Sequence, residues 1–190
     1  MTVGAILLAA GSARRMGEDK LLADLAGKPL VIHAFEAIEV ARLDSPIVAV
    51  SPGSRIADML LERARIVEVA DHAEGMGHSL AAAVRKAPLH WTAAIVCLGD
   101  MPFVRPLTLV ALVREAAAKI IVRPTCDGKP GNPVLWGCAH FNRLGQLSGD
   151  QGGRALFERY PVELLECGDP GIHIDIDTPE ALAEARKRFS

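Results

Sequence analysis

Between residues 11 and 20 the chain reads GSARRMGEDK. Gly11, Ser12 and Gly17 permit a loop whose backbone N–H groups can wrap an anion, and Arg14, Arg15 and Lys20 bring positive charge to it. Such a loop suits a triphosphate, because an arginine and a lysine together neutralise the charge that develops during phosphoryl or nucleotidyl transfer. Two common phosphate loops are excluded. A dinucleotide fingerprint needs glycines at 11, 13 and 16, where the chain has Gly11, Ala13 and Met16, and GxxxxGK[ST] is absent. A solvated basic turn is the plainer alternative.

Carboxylates recur at two later places. Asp100 follows the apolar run Ala93–Leu98 and Gly99, which puts it at the carboxyl end of a strand, over the crevice where open α/β sheets bind ligands. There it could hold Mg²⁺ between triphosphate oxygens, or it could simply begin a turn or cap the next helix. In His173-Ile174-Asp175-Ile176-Asp177, strand alternation would set His173, Asp175 and Asp177 on one face and bury the two isoleucines. Like charges two residues apart repel unless a cation separates them, which favours Asp175 as a metal ligand. Asp177 divides between ligand and N-cap, with Glu180 completing a capping box.

A fourth stretch, Glu74–Ser79 (EGMGHS), has Gly75 and Gly77 to let backbone approach a ligand ahead of a helix N-terminus. Ser79 is as readily that helix's cap, and His78 an exposed turn residue. No HExxH, nucleophile elbow or Cys/His constellation occurs, so zinc chemistry and acyl transfer have little support.

The elements that must position these residues alternate between strand and helix, the pattern of a mostly parallel sheet with helices on both faces. Strands are expected at Ala5–Ala9, Ile47–Val50, Ile66–Val69, Ala93–Leu98, Ile120–Arg123, Val134–Trp136, Val162–Leu165 and His173–Asp177. Gly27-Lys28-Pro29 makes a turn before a helix with Val31, Phe35, Ile38 and Arg42 on one side. Further helices are expected over 54–64 with Ser54 as N-cap, Ser79–Ala87, about 106–118, 139–147, 153–160, and Thr178–Arg188 with Pro179 at its first position. Pro124–Pro133, with prolines, glycines, Asp127 and Lys129, reads as a surface loop.

The 190 residues suit one well-filled domain, 1–190, with no repeat or linker. Aromatics make up only 4%, so the core must be built of Ala, Val, Leu and Ile. A net charge of −2 argues against nucleic acid or an anionic membrane as partner. The four cysteines form no CxxC and no paired framework, as expected of reduced thiols, with Cys97 a buried small hydrophobe. The N-terminus lacks a basic region and cleavage site, and Ala5–Ala10 is too short to span a membrane, so a soluble cytoplasmic protein is expected.

Taken together and in order, LAAGSARRMGEDK, EGMGHS, LGDMP, PGNPVL, GDQGGRAL and DIDTPEAL resemble the MobA-like nucleotidyltransferases, and among them the molybdenum cofactor cytidylyltransferases. The resemblance runs from about residue 3 to residue 187. It implies a three-layer α/β/α Rossmann-like fold with a mostly parallel mixed sheet. It also implies Mg²⁺-dependent transfer of CMP from CTP to the phosphate of molybdopterin, with release of pyrophosphate. By position, Leu8, Ala9, Ala10 and Gly11 would contact base and ribose, and Arg15 and Lys20 the phosphates. Asp71–Ser79, including Asp71, Gly77 and Ser79, would close around the nucleoside. Asp100 with Asp175 or Asp177 would bind the metal. Pro130–Pro133 (Gly131, Asn132, Pro133) and Gly149–Arg154 (Asp150, Arg154) would line the acceptor side. Ala10 fits the cytidylyl branch, where the guanylyl branch usually carries LAGG. Asn132 departs from the GHP triplet common among relatives. A molybdoenzyme or its chaperone is an implied partner. The rival readings are a GTP-using enzyme, transfer to another phosphorylated acceptor such as a sugar phosphate or phospho-lactate, and a non-catalytic carrier of the cofactor.

Overall fold

The run Val3–Ala9 forms β1, and all seven of its residues are buried, as a strand covered on both faces requires. Alternation divides it. Ala5, Leu7 and Ala9 point into one apolar layer, while Ile6 and Leu8, followed by Ala10, point into the other. The computed structural model describes residues 1–11, 20–150 and 152–188. Arg14, Arg15, Ser12 and Gly17 of the basic loop lie outside the described residues.

After β1 come a short hairpin of β2 (Asp24–Leu25) and β3 (Lys28–Pro29), α1 (Leu30–Val40) and β4 (Asp44–Val50). Next are α2 (Arg55–Leu60), β5 (Arg65–Glu68), α3 (Met76–Val84), β6 (Ala93–Leu98) and α4 (Pro106–Arg114). The second half contributes β7 (Ile121–Cys126), β8 (Lys129–Pro130), β9 (Val134–Gly137), α5 (Phe141–Leu144), β10 (Glu163–Glu166) and α6 (Pro179–Lys187). The main sheet has eight strands in the order β10-β7-β9-β6-β1-β4-β5, with β8 paired to β7. β1 pairs parallel with β4 and β6, and β4 with β5. β9 runs antiparallel to both β6 and β7, which makes the sheet mixed. Apolar residues of α1, α2, α4 and α6 pack on one face, and those of α3 and α5 on the other. The expected three-layer α/β/α Rossmann-like architecture is therefore present.

Two features tie the sheet's amino end together. Gly4 lies beneath the Trp91 ring, where a Cβ would overlap it. The Trp91 indole N–H donates to Asp44 Oδ2 at 2.6 Å, at the start of the strand that pairs beside Gly4.

Several sequence expectations are corrected. His173–Asp177 is not a strand: Pro170–His173 is a 3₁₀ turn and 174–177 an extended segment without ladder pairing. A turn started by Pro170 and capped by the Asp169 carboxylate, which accepts from Gly171 N–H at 2.9 Å, and the hydrogen bond from Ile176 N–H to Asp100 C=O anchor this segment away from ladder pairing. Asp177 does not cap the last helix. Thr178 does, its hydroxyl accepting from Ala181 N–H at 3.2 Å. Pro124–Pro133 is no irregular loop, because β7 continues to Cys126 and turns back into β8 through Asp127-Gly128, both at positive φ. Ser79 is not a cap, since α3 begins at Met76. Residues 153–160 hold only the 3₁₀ turn Gly152–Leu156, and α5 is one turn long. Arg42 lies past the end of α1 with φ 57°.

Candidate active site

At the carboxyl ends of β1 and β6 the backbones run close together. Gly99 N–H donates to Leu8 C=O at 3.0 Å, and a Cβ on Gly99 would sit 3.1 Å from that oxygen. A side chain there would need Leu8, Val31 and Leu21 to give by a few tenths of an ångström, and the residue after it is Asp100. The extended segment 174–177 crosses beside it, pinned by Ile176 N–H donating to Asp100 C=O at 2.9 Å. One side of that segment, Ile176, is buried in the core, and this turns Asp175 and Asp177 outward.

Lys20 joins the two carboxylate groups. Its Nζ donates to Asp100 Oδ2 at 2.8 Å and to Asp177 Oδ1 at 2.5 Å. Burial is the largest single influence on the Lys20 ammonium and acts to lower its pKa. The combined pull of Asp100 and Asp177 still leaves it above the ordinary lysine value. Asp100 Oδ1 is buried and has no hydrogen-bond partner among the described residues. The Asp175 carboxyl is pushed up, first by loss of hydration among protein atoms and then by the neighbouring Asp177 and Asp100. Negative charge is thus concentrated at one point, with Lys20 between its members. A carboxylate oxygen left without a partner, with the Asp175 and Asp177 carboxyls nearby, is the kind of oxygen donor that a hard divalent cation takes.

This acidic point opens onto a cleft of about 350 Å³ between β1 and α3. Leu8, Ala10, Gly11, Lys20, Ser79 and Asp100 all line it, as does Asp150. Ser79, 4% exposed, sits within the first turn of α3 and faces this cleft. Other expected residues fall elsewhere. Ala9 belongs to the opposite apolar layer, because it has the other parity on β1. Gly77 does not admit a ligand. Its N–H donates to Gly149 C=O at 2.8 Å, and a Cβ would meet Gly149 and Ser148 backbone at 2.8 Å. Gly75, at φ 127°, meets the same loop while also lining the cleft. Asp71 is not among the residues that line this cleft; its Oδ2 lies 2.9 Å from His78 Nδ1.

A second cleft of about 400 Å³ adjoins the first, and Leu8, Met76, Leu98 and Asp150 border both. Asn132 and Arg154 line it. Gly131 and Pro133 do not: Gly131 packs against Ile172, and Pro133 faces the opposite layer beside Leu109. The cis peptide lies between Asn132 and Pro133. Sequence reasoning missed Arg123 and Phe157 of this cleft. The available signal was an arginine inside an otherwise apolar strand, Ile120–Arg123. His72 and Met76 of the first cleft fall within Asp71–Ser79, the stretch that the resemblance assigns to the nucleoside.

Comparison with known proteins bears on this arrangement. Residues 5–164 match the family model described as the MobA-like NTP transferase domain. The chain is 29% identical to the purine catabolism protein PucB of Bacillus subtilis (strain 168), over 97% of this chain and 96% of that protein. Its backbone superposes on a manganese complex of Rv0371c from Mycobacterium tuberculosis H37Rv with TM-score 0.83 at 23% identity, covering 98% of this chain and 99% of that one. It superposes on molybdopterin-guanine dinucleotide biosynthesis protein A of Archaeoglobus fulgidus with TM-score 0.70 at 21% identity, covering 98% of each chain.

Proposed function

The chain belongs to the MobA-like NTP transferase family, and from that premise we propose that it transfers CMP from CTP to the phosphate of molybdopterin, releasing pyrophosphate. The observation that carries the reading is the Asp100–Lys20–Asp177 cluster at the edge of the nucleotide-sized cleft. In this reading an acceptor phosphate oxygen attacks the α-phosphorus of CTP. The new P–O bond forms as the bond to the β-phosphate oxygen breaks, and pyrophosphate leaves with that electron pair. The nucleophile is already an anion, so no covalent enzyme intermediate and no general base are needed.

Asp100 and one or both of Asp175 and Asp177 would hold a divalent cation, Mg²⁺ by our reading, which when bound supplies charge neutralisation at the phosphates. That the structural neighbour Rv0371c forms a manganese complex supports a divalent cation in this reading. The protein's own share is positioning and electrostatics. Lys20 brings a fixed positive charge to the wall of the cleft, and Arg15 would add a second from the basic loop. Leu8, Gly11 and Ser79 would bound the nucleoside, and Ala10, which also lines the cleft, supports cytosine through the resemblance to the cytidylyl branch.

Pyrophosphate release is the deciding measurement, with CTP, GTP and ATP each crossed with molybdopterin and a divalent metal. CTP should be preferred. Activity with GTP alone would overturn the choice of base, for which the archaeal MobA structure is the precedent. Activity only with a sugar phosphate would overturn the acceptor. Absence of turnover with retained molybdopterin binding would favour a carrier.

A further inference from the structure

The last helix, α6, takes hold of the Lys20 region from both of its ends. At the amino end Asp177 directly precedes the N-cap Thr178, and its Oδ1 accepts from Lys20 Nζ at 2.5 Å. At the carboxyl end Arg186 donates twice to Asp24 C=O, through Nε at 3.1 Å and Nη2 at 2.8 Å. Asp24 follows the turn that Lys20 begins, and that turn is closed. Ala23 N–H donates to Lys20 C=O at 3.1 Å, and Ala23 C=O accepts from Leu30 N–H at 3.0 Å. Leu21 and Leu25 are buried and fasten the inner side of this stretch to the core. Arg186, which is exposed, fastens its outer side. The guanidinium of Arg188 lies 5.0 Å from the centre of the Phe103 ring, so the same helix end also meets the chain just past Asp100.

A lysine side chain has a flexible four-carbon stem and much rotamer freedom, so the place of its ammonium depends on how firmly its backbone is held. Here the ammonium reaches two carboxylates on different segments, Asp100 after β6 and Asp177 before α6. A carbonyl oxygen has two lone pairs, and two N–H groups of one charged guanidinium can occupy both. The nine residues of α6 make a stiff rod of about 13 Å. With Asp24 held at one end and Asp177 carried at the other, the helix sets the span that the Lys20 side chain has to bridge.

We propose that Arg186 is a positioning residue for Lys20: its double hydrogen bond to Asp24 keeps the Lys20 ammonium between Asp100 and Asp177 at the wall of the first cleft. The inference rests on the proposed transfer reaction only where Lys20 is taken to meet the phosphates of the nucleotide. Arg186 lines neither cleft, so it acts through Lys20 and not on a ligand. Lys187, the next residue, pairs within the helix with Glu184 at 2.9 Å and provides a control of equal charge.

The reactivity of the Lys20 amine reads its position without any ligand. Acylation of the full chain by a water-soluble succinimidyl ester, followed by peptide mass spectrometry, should be slow at Lys20 in the wild type, where the ammonium is partly buried and held by two carboxylates. Arg186→Gln should speed it by about threefold or more, the lower end of the coupling between groups in one network. Arg186→Lys, which restores a single cationic donor, should fall between, and Lys187→Gln should match the wild type. Calorimetry of CTP binding without metal gives the second readout. Arg186→Gln should weaken CTP by a similar factor, yet add nothing in a Lys20→Gln background, because a residue that acts through Lys20 has no effect once Lys20 is gone. Unchanged acylation of Lys20 in Arg186→Gln would overturn the proposal, and so would additive losses of CTP affinity in the double variant. If acylation rises as expected but no nucleoside triphosphate binds, the transfer reading fails and the positioning role stands.

Discussion

Asp100 illustrates how one side chain can matter for chemistry more than for stability. Its Oδ2 is held by Lys20 while the buried Oδ1 has no partner among the described residues, so the folded protein gains little from that second oxygen. Asp100→Asn keeps the shape and removes the charge. We expect turnover in the pyrophosphate assay to fall by about 10²–10³-fold, the order lost when one electrostatic stabiliser is removed, with the melting temperature little changed. Normal turnover would remove Asp100 from the mechanism.

Asp44 is the opposite case. Its carboxylate accepts from the Trp91 indole and lies 3.0 Å from His90 Nε2, and these contacts hold it below its ordinary pKa. A depressed carboxylate contributes stability above its ordinary pKa, and that contribution disappears as pH falls through the depressed value. Melting temperature measured from pH 6 to pH 2 should therefore fall more steeply in the wild type than in Asp44→Asn. At neutral pH the variant should be less stable by about 1 kcal/mol, because the exposure of Asp44 screens its charge and leaves the worth of an ordinary hydrogen bond. Parallel curves would show that the Trp91 contact does not depend on the charge.

At the scale of elements, the metal-binding candidates owe their position to a residue that binds nothing. Asp169 is fully buried. Its Oδ2 accepts from Arg105 N–H at 2.9 Å and Thr108 Oγ1 at 2.6 Å, and its Oδ1 from Gly171 N–H. It thereby joins the amino end of α4 to the turn leading into Asp175 and Asp177. Asp169→Ala leaves those donors buried and unpaired, and should cost roughly 3 kcal/mol by the scale for breaking a buried polar network. Denaturant unfolding measures that loss. Metal affinity should weaken in the same variant even where it is still folded, because the 174–177 segment loses its anchor. An unaltered metal affinity would mean that the Ile176–Asp100 hydrogen bond positions the segment by itself.

For the whole molecule, the first cleft is assembled from parts distant in sequence: β1, the turn at Lys20, α3, the end of β6 and the 148–150 loop. A ligand that binds across them should stabilise the fold as a unit. At a hundred times its dissociation constant a nucleotide adds about 2.7 kcal/mol, so CTP with Mg²⁺ or Mn²⁺ should raise the melting temperature by several degrees. Chelation should abolish most of that rise, and Asp100→Asn should not show it. A shift undiminished by chelation would separate nucleotide binding from the metal.

The alternation of strands and helices, the Gly99-Asp100 turn and the candidate residues Leu8, Lys20, Asp100 and Asp175 were legible in the sequence, because apolar periodicity and short motifs are local properties. Ser54 as a helix cap was legible for the same reason: its oxygen accepts from Ile56, two residues away. What the sequence could not contain were relations between segments. Strand parity separates Leu8 and Ala10, which face the cleft, from Ala9, which faces the core, and only the packed layers say which side is which. Gly77 read as an opening for a ligand because the loop that fills its space, Ser148-Gly149, lies some seventy residues further along the chain. His173–Asp177 had a strand's alternation, but the Asp169 and Asp100 anchors keep it off the sheet. Arg123 looked like one charge in an apolar strand until folding brought it against Phe157 and opposite Arg154. Local chemistry is written residue by residue, but which charges share a cleft is decided by long-range packing.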